Sequence, residues 1–280
     1  MRSTRIDPIF RHGIFPALAV VAALGAAPAW GAGGIYGTKD VEFSFEGPFG
    51  TYDSLQLQRG FQVFHEVCAS CHGLKYVSFR SLGDTTGPSL PPEQIKAIAA
   101  MYEVPDTGPD AFPGDMRAAL PSDNFPENNL MGAPDLSLMA KARAGFSGPY
   151  GTGLNQLFKG IGGPEYIYTL LTSYTGGDKE VAGSILYENE VYPGGYINMA
   201  QPLYGDDVEY AVHGEGGGYT PPDATIEQQS KDVAAFLMWA AEPKMVERKE
   251  AGLRNLLWLV ILATLLYFTN RQIWASVKGK

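Results

Sequence analysis

Two cysteines and a histidine form the one cluster in this sequence whose residue types and spacing have clear chemical capacity. Cys68 and Cys71 are separated by two residues, His72 follows directly, and the chain has no further cysteine. Two thiols at this spacing can each add to a vinyl group of haem and form two thioether links. The imidazole that follows can then bind the iron. The pattern therefore predicts one covalently bound haem c.

Three other interpretations of the cluster are a zinc half-site, a redox pair of thiols and two buried apolar cysteines. A zinc site needs about four nitrogen or sulfur ligands, and beyond the leader only His65, His72 and His213 can join the cysteines. A redox pair is expected at the start of a helix that follows a strand. Here the preceding residues are amphipathic and helix-like, which favours haem.

The sixth iron ligand decides what such a haem does. An open position suits the activation of peroxide, as in a haem peroxidase, whereas a second protein ligand gives a closed site for electron transfer. The candidates are the methionines downstream of the leader, namely Met101, Met116, Met131, Met139, Met199, Met238 and Met245. Met101, Met139 and Met238 fit the apolar faces of helices, and Met245 lies next to the apolar C-terminal segment. Met131 and Met199 lie in Gly- and Pro-flanked loops, and composition does not separate them.

Both ends of the chain carry membrane-targeting features. Residues 1–31 combine three arginines, a short apolar run and the small-residue sequence Ala27-Pro28-Ala29, which predicts a secretory signal peptide cleaved between residues 29 and 32. Residues 246–280 contain an uncharged apolar stretch, and a span of about 251–270 reaches the length of a membrane helix. We therefore expect a haem domain at 32–245 in the bacterial periplasm, a single-pass anchor in the inner membrane and a cytoplasmic tail.

The predicted haem domain is strongly acidic. Residues 32–242 contain eleven Lys or Arg against twenty-seven Asp or Glu, a net charge of −16, while the whole chain carries −9. Such a surface repels nucleic acid and attracts basic partners. Asp206, Asp207 and Glu209, which follow the Met199 loop, are the first candidates for a docking patch.

The apolar periodicity predicts a mainly α fold. One helix begins at an Asp53 cap and runs toward Cys68, and the clearest helix covers 225–241 with Thr225 as its cap. Shorter helices begin near Pro92, after Pro134 and at Pro164. Residues 103–132 and 175–218 read as irregular covering loops.

Five segments of the chain resemble, in the same order, those of the cytochrome c1 family. They are Glu66 to His72, Ala133-Pro134-Asp135-Leu136-Ser137, Pro164-Glu165-Tyr166-Ile167, Met199-Ala200-Gln201-Pro202-Leu203, and Phe236 to Pro243 with the basic membrane segment that follows. The resemblance covers essentially the whole chain after the leader. It implies a class I cytochrome c domain with loop-rich insertions and one C-terminal transmembrane helix.

The resemblance also implies roles for individual residues. Cys68 and Cys71 would form the thioether links, and His72 and Met199 would be the axial iron ligands. Arg143 would pair with a haem propionate, for which a planar guanidinium is well shaped. Pro134 and Tyr166 would line the pocket, although ordinary packing explains both residues equally well.

Two features depart from the pattern of the family. The glycine-rich stretch before Pro164 is longer than in mitochondrial members, as in bacterial relatives, and there is no additional cysteine pair to brace the loop that carries Met199.

The function implied is that of an electron-transfer subunit of quinol:cytochrome c oxidoreductase, not an enzyme by itself. Its partners would be cytochrome b, the Rieske iron–sulfur protein as electron donor, and a basic soluble or tethered c-type cytochrome as acceptor. The alternative of a free-standing, membrane-anchored cytochrome shuttle fits the same haem motif and anchor.

Overall fold

The computed structural model describes residues 37–128, 130–144, 158–210 and 219–278. Within these ranges lie six α-helices, which are α1 (Ser54–Glu66), α2 (Pro92–Ala99), α3 (Met139–Ala142), α4 (Gly163–Leu171), α5 (Ile226–Ala241) and α6 (Met245–Lys278). Three 3-10 turns cover Cys68–Ser70, Phe79–Gly83 and Leu130–Gly132. The mainly α prediction is thus confirmed. The predicted signal peptide lies outside the described residues.

Helices α1 and α5 are the centre of the core. The Asp53 carboxylate accepts hydrogen bonds from the first backbone N–H groups of α1, and the Thr225 hydroxyl accepts one at the start of α5, as predicted. Their apolar faces meet in an aromatic cluster in which Phe61 and Phe64 contact Phe236, with ring centroids 5.6 and 5.8 Å apart. This contact fixes the direction in which α1 delivers the chain to Cys68.

A glycine permits the two helices to approach this closely. A Cβ atom on Gly60 would lie 2.0 Å from the backbone carbonyl oxygen of Asp232 on α5. Any larger side chain at position 60 must therefore push the helices apart.

A buried ion pair lies beside this contact. The Arg59 guanidinium donates through Nε and Nη2 to the two carboxylate oxygens of Asp232, at 2.7 and 3.0 Å. Gln56 and Gln228 also donate to Asp232, whose side chain is fully buried. Every one of these contacts to the carboxylate comes from a hydrogen-bond donor, and Arg59 supplies the opposite charge.

The N-terminal arm, residues 37–50, has no helix or strand and links α4 to the C-terminal helix. The backbone N–H of Lys39 donates to the buried Thr169 hydroxyl on α4 at 2.9 Å. At the other end, the Lys249 ammonium donates to the carbonyl oxygens of Phe45 and Gly50 at 2.6 and 3.2 Å. These contacts tie the start of the long helix to the haem-motif domain.

The two segments predicted to be irregular contain strands, which corrects that prediction. β1 (Glu103–Pro105) pairs antiparallel with β2 (Met116–Ala118). β3 (Tyr174–Val181), β4 (Ser184–Asn189) and β5 (Tyr196–Ile197) form an antiparallel sheet in that order. Ala182 and Gly183 both have positive φ and join β3 to β4 in a two-residue turn. Alanine is an unusual residue there, so the sequence lacked the usual hairpin signal.

Helix α6 carries the predicted anchor. Within the described part of the chain it is the one helix that is long and apolar enough to cross a membrane, over Met245–Ala275. Its leucine, valine and aromatic side chains from 256 to 268 are exposed. An exposed apolar surface of this length suits a lipid environment.

The Arg59–Asp232 pair gives a test of the core. We expect Asp232→Asn to lower the free energy of unfolding by about 3 kcal/mol, because it leaves a buried guanidinium without its counter-charge. Glu227→Gln, on an exposed position of the same helix, should change it by less than about 0.5 kcal/mol. Denaturant unfolding of the haem-loaded protein, followed by circular dichroism, measures both. Equal effects of the two substitutions would contradict a structural role for the pair.

Candidate haem site

The cysteines and the histidine lie in one turn at the end of α1. The backbone N–H groups of Cys71 and His72 both donate to the carbonyl oxygen of Cys68, at 3.1 and 2.9 Å. The three side chains therefore project from adjacent positions of a single hydrogen-bonded turn. All three are partly buried at the edge of the core.

A hydrogen bond defines the tautomer of His72. Its Nδ1 lies 2.6 Å from the backbone carbonyl oxygen of Pro134. A carbonyl only accepts hydrogen bonds, so Nδ1 carries a proton, and in the neutral imidazole Nε2 then has the free lone pair. A histidine held in this way is oriented to bind a metal through Nε2.

The segment that contains Pro134 is fixed to the motif by further hydrogen bonds. Gly73 donates through its N–H to Asn128 O at 3.0 Å and accepts at its carbonyl from Leu136 N at 2.9 Å. The Asp135 carboxylate accepts from the N–H of Lys75 at 2.9 Å. The position of the Pro134 carbonyl over His72 is thus set by neighbours on both sides.

The thiol chemistry argues against the redox interpretation. Burial, with a smaller contribution from the Cys71 thiol, raises the pKa of the Cys68 thiol to about 12. Redox-active cysteines and zinc ligands work as thiolates and have lowered pKa values. The pKa of the Cys68 thiol is instead raised, which disfavours the thiolate.

The zinc interpretation finds no support either. Among the residues that the structure describes, no three His, Cys, Asp or Glu side chains come together as a metal site. His65 instead places Nδ1 2.6 Å from the Tyr102 hydroxyl and stacks on Phe61. Burial lowers its pKa, as expected for a histidine that belongs to the core. His213 lies outside the described residues.

Arg143 and Tyr166, two further residues predicted for the site, contact each other. Helices α3 and α4 pack closely, since a Cβ atom on Gly163 would lie 1.6 Å from the carbonyl oxygen of Ala140. Arg143, directly after α3, lies with its Cζ 6.0 Å from the centre of the Tyr166 ring on α4. Burial raises the pKa of the Tyr166 hydroxyl, and the nearby guanidinium opposes that shift. Arg143 has no carboxylate partner in the described part of the chain.

Met199 is partly buried against the core, two residues after β5. Its backbone carbonyl accepts a hydrogen bond from the Tyr174 hydroxyl at 3.0 Å. Met139 and Met238 also pack against the core, as predicted. Met101 does not: α2 ends at Ala99, and the Met101 side chain is 67% exposed.

The structure thus groups the predicted residues in two sets. Cys68, Cys71, His72 and Pro134 form one hydrogen-bonded unit, and Arg143 with Tyr166 forms another. Met199 is held by the β3–β5 sheet, which sequence reasoning missed. The contacts made by Asp135 and Tyr174 were also missed. The apolar run Ile185-Leu186-Tyr187 of β4 was a signal for a strand, but nothing in the sequence indicated which tyrosine would reach Met199.

This fold and site define a c-type cytochrome with a C-terminal anchor helix. Comparison with known proteins agrees, because the model of the Cytochrome C1 family matches residues 43–277. Cytochrome c1 of Cereibacter sphaeroides is 46% identical over 94% of this chain and 95% of its own length. The mitochondrial cytochrome c1 haem protein of Saccharomyces cerevisiae is 36% identical over 85% of this chain and 72% of its own.

The chain therefore belongs to the cytochrome c1 family. Members of this family carry covalently bound haem c and serve as electron-transfer subunits of the cytochrome bc1 complex. One relative, from Bradyrhizobium diazoefficiens, is named cytochrome b/c1; it is 38% identical over 84% of this chain and 35% of its own length.

A buried carboxyl group lies on α4, next to Tyr166 in the sequence. Glu165 is 1% exposed, and its Oε2 has no hydrogen-bond partner in the described residues. Burial raises its pKa to about 7, and the carboxylates of Glu46 and Asp40 add to the shift, while Lys159 opposes it. Lys159 itself is paired with Asp40 on the N-terminal arm.

The raised pKa of Glu165 predicts that the free energy of unfolding depends on pH. A carboxyl group with a raised folded-state pKa stabilises the fold below its unfolded pKa of 4.5, and this contribution is lost as pH rises through about 7. We expect Glu165→Gln to remove a loss of about 3 kcal/mol between pH 4.5 and pH 8. Denaturant unfolding across that range measures it, with exposed Glu93→Gln as control. Parallel pH profiles for wild type and Glu165→Gln would contradict the assignment.

Proposed function

We propose that this chain carries single electrons from the Rieske iron–sulfur protein to a basic c-type cytochrome within a quinol:cytochrome c oxidoreductase. The observation that carries the proposal is the hydrogen bond from His72 Nδ1 to the Pro134 carbonyl, 2.6 Å long, beside two cysteines in one turn. It presents Nε2 as an iron ligand next to two thiols spaced for haem attachment. When bound, the haem takes up and releases one electron.

In this proposal Cys68 and Cys71 hold the haem through thioether bonds, and His72 and Met199 are the axial ligands. Arg143 pairs with a propionate, which would supply the anion that the described residues do not. Pro134 orients His72, and Tyr166 lines the pocket beside Arg143. The residues of the chain thus attach, orient and charge-balance the group, and they break no bonds of a substrate.

The backbone supports Met199 over Met131 as the sixth ligand. Met131 lies in the 3-10 turn Leu130–Gly132, between Asn128 and Pro134, both of which bond to the motif. A second iron ligand would need to come from the side that His72 does not occupy, and this segment is tied to the His72 side. Met199 belongs to a different segment, held by the β3–β5 sheet.

The proposed topology places the signal peptide at 1–31, the haem domain at 32–245 in the periplasm, and the anchor with a cytoplasmic tail at 246–280. The long apolar helix supports the anchor. The cytochrome b subunit would contact that anchor in the membrane. Export of the haem domain places it on the side where a periplasmic acceptor can reach it.

The structure refines the candidate docking patch. Asp206 and Glu209 are exposed, but the Asp207 carboxylate accepts hydrogen bonds from the N–H groups of Tyr204 and Gly205, at 2.6 and 2.9 Å. Asp207 therefore stabilises the turn. Its replacement would remove a charge and these hydrogen bonds together, so the two effects could not be separated. Asp206 and Glu209 are the residues to test for attraction of a basic acceptor.

The sixth ligand distinguishes an electron carrier from a peroxidase. Met199→Leu should open the iron to carbon monoxide and lower the reduction potential, because a thioether ligand favours reduced iron. Met131→Leu should do neither. Optical spectra under carbon monoxide and redox titration of the purified protein measure both effects. The reverse pattern would move the ligand to Met131.

Electron transfer in the isolated complex tests the function itself. The chain should copurify in mild detergent with cytochrome b and a Rieske subunit, and quinol should reduce an added basic cytochrome through it. The rate at which the added basic cytochrome is reduced should fall by about tenfold as salt shortens the screening length to ~8 Å and below. Asp206→Asn with Glu209→Gln should flatten that dependence.

The matched control neutralises two exposed residues at the separate β1–β2 ribbon, Glu103→Gln with Asp110→Asn. An equal change in the control would rule out the 206–209 patch. Purification of a haem-loaded chain without the other subunits would instead support the free-standing shuttle.

A further inference from the structure

The loop that carries Met199 lacks a covalent brace, since the chain has no cysteines beyond the haem motif. A thioether is a weak iron ligand, and it stays bound only where the fold holds the loop in place. Hydrogen bonds from the β3–β5 sheet restrain this loop, together with the packing of Met199 against the core. One attaches to Met199 itself and another to Gly195, four residues before it.

The first contact attaches to Met199 itself. Tyr174, the first residue of β3, donates from its hydroxyl to the Met199 carbonyl oxygen at 3.0 Å. A tyrosine hydroxyl carries a proton that it can donate, and a backbone carbonyl can only accept, so the direction of this hydrogen bond is fixed.

The second contact fixes the chain just before Met199. Asn189 at the end of β4 is fully buried; its backbone N–H donates to Gly195 O at 3.0 Å, and its side-chain amide donates to Leu170 O at 2.9 Å. β5 then pairs with β4 through Ile197 and Tyr187. The approach to the ligand is thus tied to the C-terminal end of α4.

We propose that Tyr174 is a positioning residue for the sixth iron ligand, which it holds through the Met199 backbone in place of a disulfide. The inference rests on the proposed role of Met199. Tyr174 lies three residues beyond the end of α4, so it connects the loop closely to that helix. The hydrogen bond from the Tyr174 hydroxyl to the Met199 carbonyl is a single contact. Replacing tyrosine by phenylalanine removes it and keeps the aromatic ring.

The test is Tyr174→Phe in the haem-loaded full chain, purified in its complex. Carbon monoxide binds reduced iron only when the methionine has left, so its apparent affinity rises with the fraction of open sites. Loss of one hydrogen bond should raise that affinity about fivefold. It should also weaken the red absorption band of the ferric iron–methionine bond. Tyr187→Phe is the control. Tyr187 belongs to the same sheet, and its hydroxyl has no hydrogen-bond partner among the described residues.

A double-substitution cycle separates this inference from the proposed function. In a Met199→Leu background, Tyr174→Phe should leave the carbon monoxide affinity unchanged, since no methionine remains to be positioned. A fivefold effect that persists there, or an effect equal to that of Tyr187→Phe, would overturn the role of Tyr174 alone. If Met199→Leu does not itself open the site, the ligand assignment fails as well.

Discussion

The close contact of α1 with α5 is the constraint on which the haem site depends. Gly60 lets the α1 backbone approach Asp232 so closely that no side chain fits between them. The aromatic rings of Phe61, Phe64 and Phe236 then fill the space beside the contact. Because the turn with Cys68 begins two residues after α1 ends, any shift of this helix would move both thiols and the imidazole together.

The two sides of the proposed iron site are held by different kinds of structure. On the His72 side, backbone hydrogen bonds join two loop segments, and one carbonyl, that of Pro134, orients the imidazole. On the Met199 side, a small sheet attached to α4 holds the loop. An electron carrier benefits from ligands that keep their positions in both oxidation states. Backbone hydrogen bonds on one side of the proposed site and a small sheet on the other serve that requirement.

The sequence predicted the elements whose signals are local. The Asp53 and Thr225 caps and the periodicity of the flanking helices agree with α1 and α5. The β3–β4 hairpin was missed because Ala182 occupies a turn position with positive φ, where glycine or asparagine is the usual signal. Contacts such as that of Tyr174 with Met199 span 25 residues, and no local pattern encodes them. The residues of the motif were therefore predictable, whereas the residues that position them required the fold.

Arg143 differs from other cations of this acidic domain in the partners that it contacts. In residues 32–242 carboxylates exceed cations by 16, so an arginine there has many possible acidic partners. The cations of Arg59, Arg117 and Lys159 are each paired with an aspartate. Arg143 instead lies beside the Tyr166 ring and has no carboxylate partner among the described residues. A guanidinium without a carboxylate partner among the described residues is suited to bind an anion, and a haem propionate, as proposed above, has that chemistry.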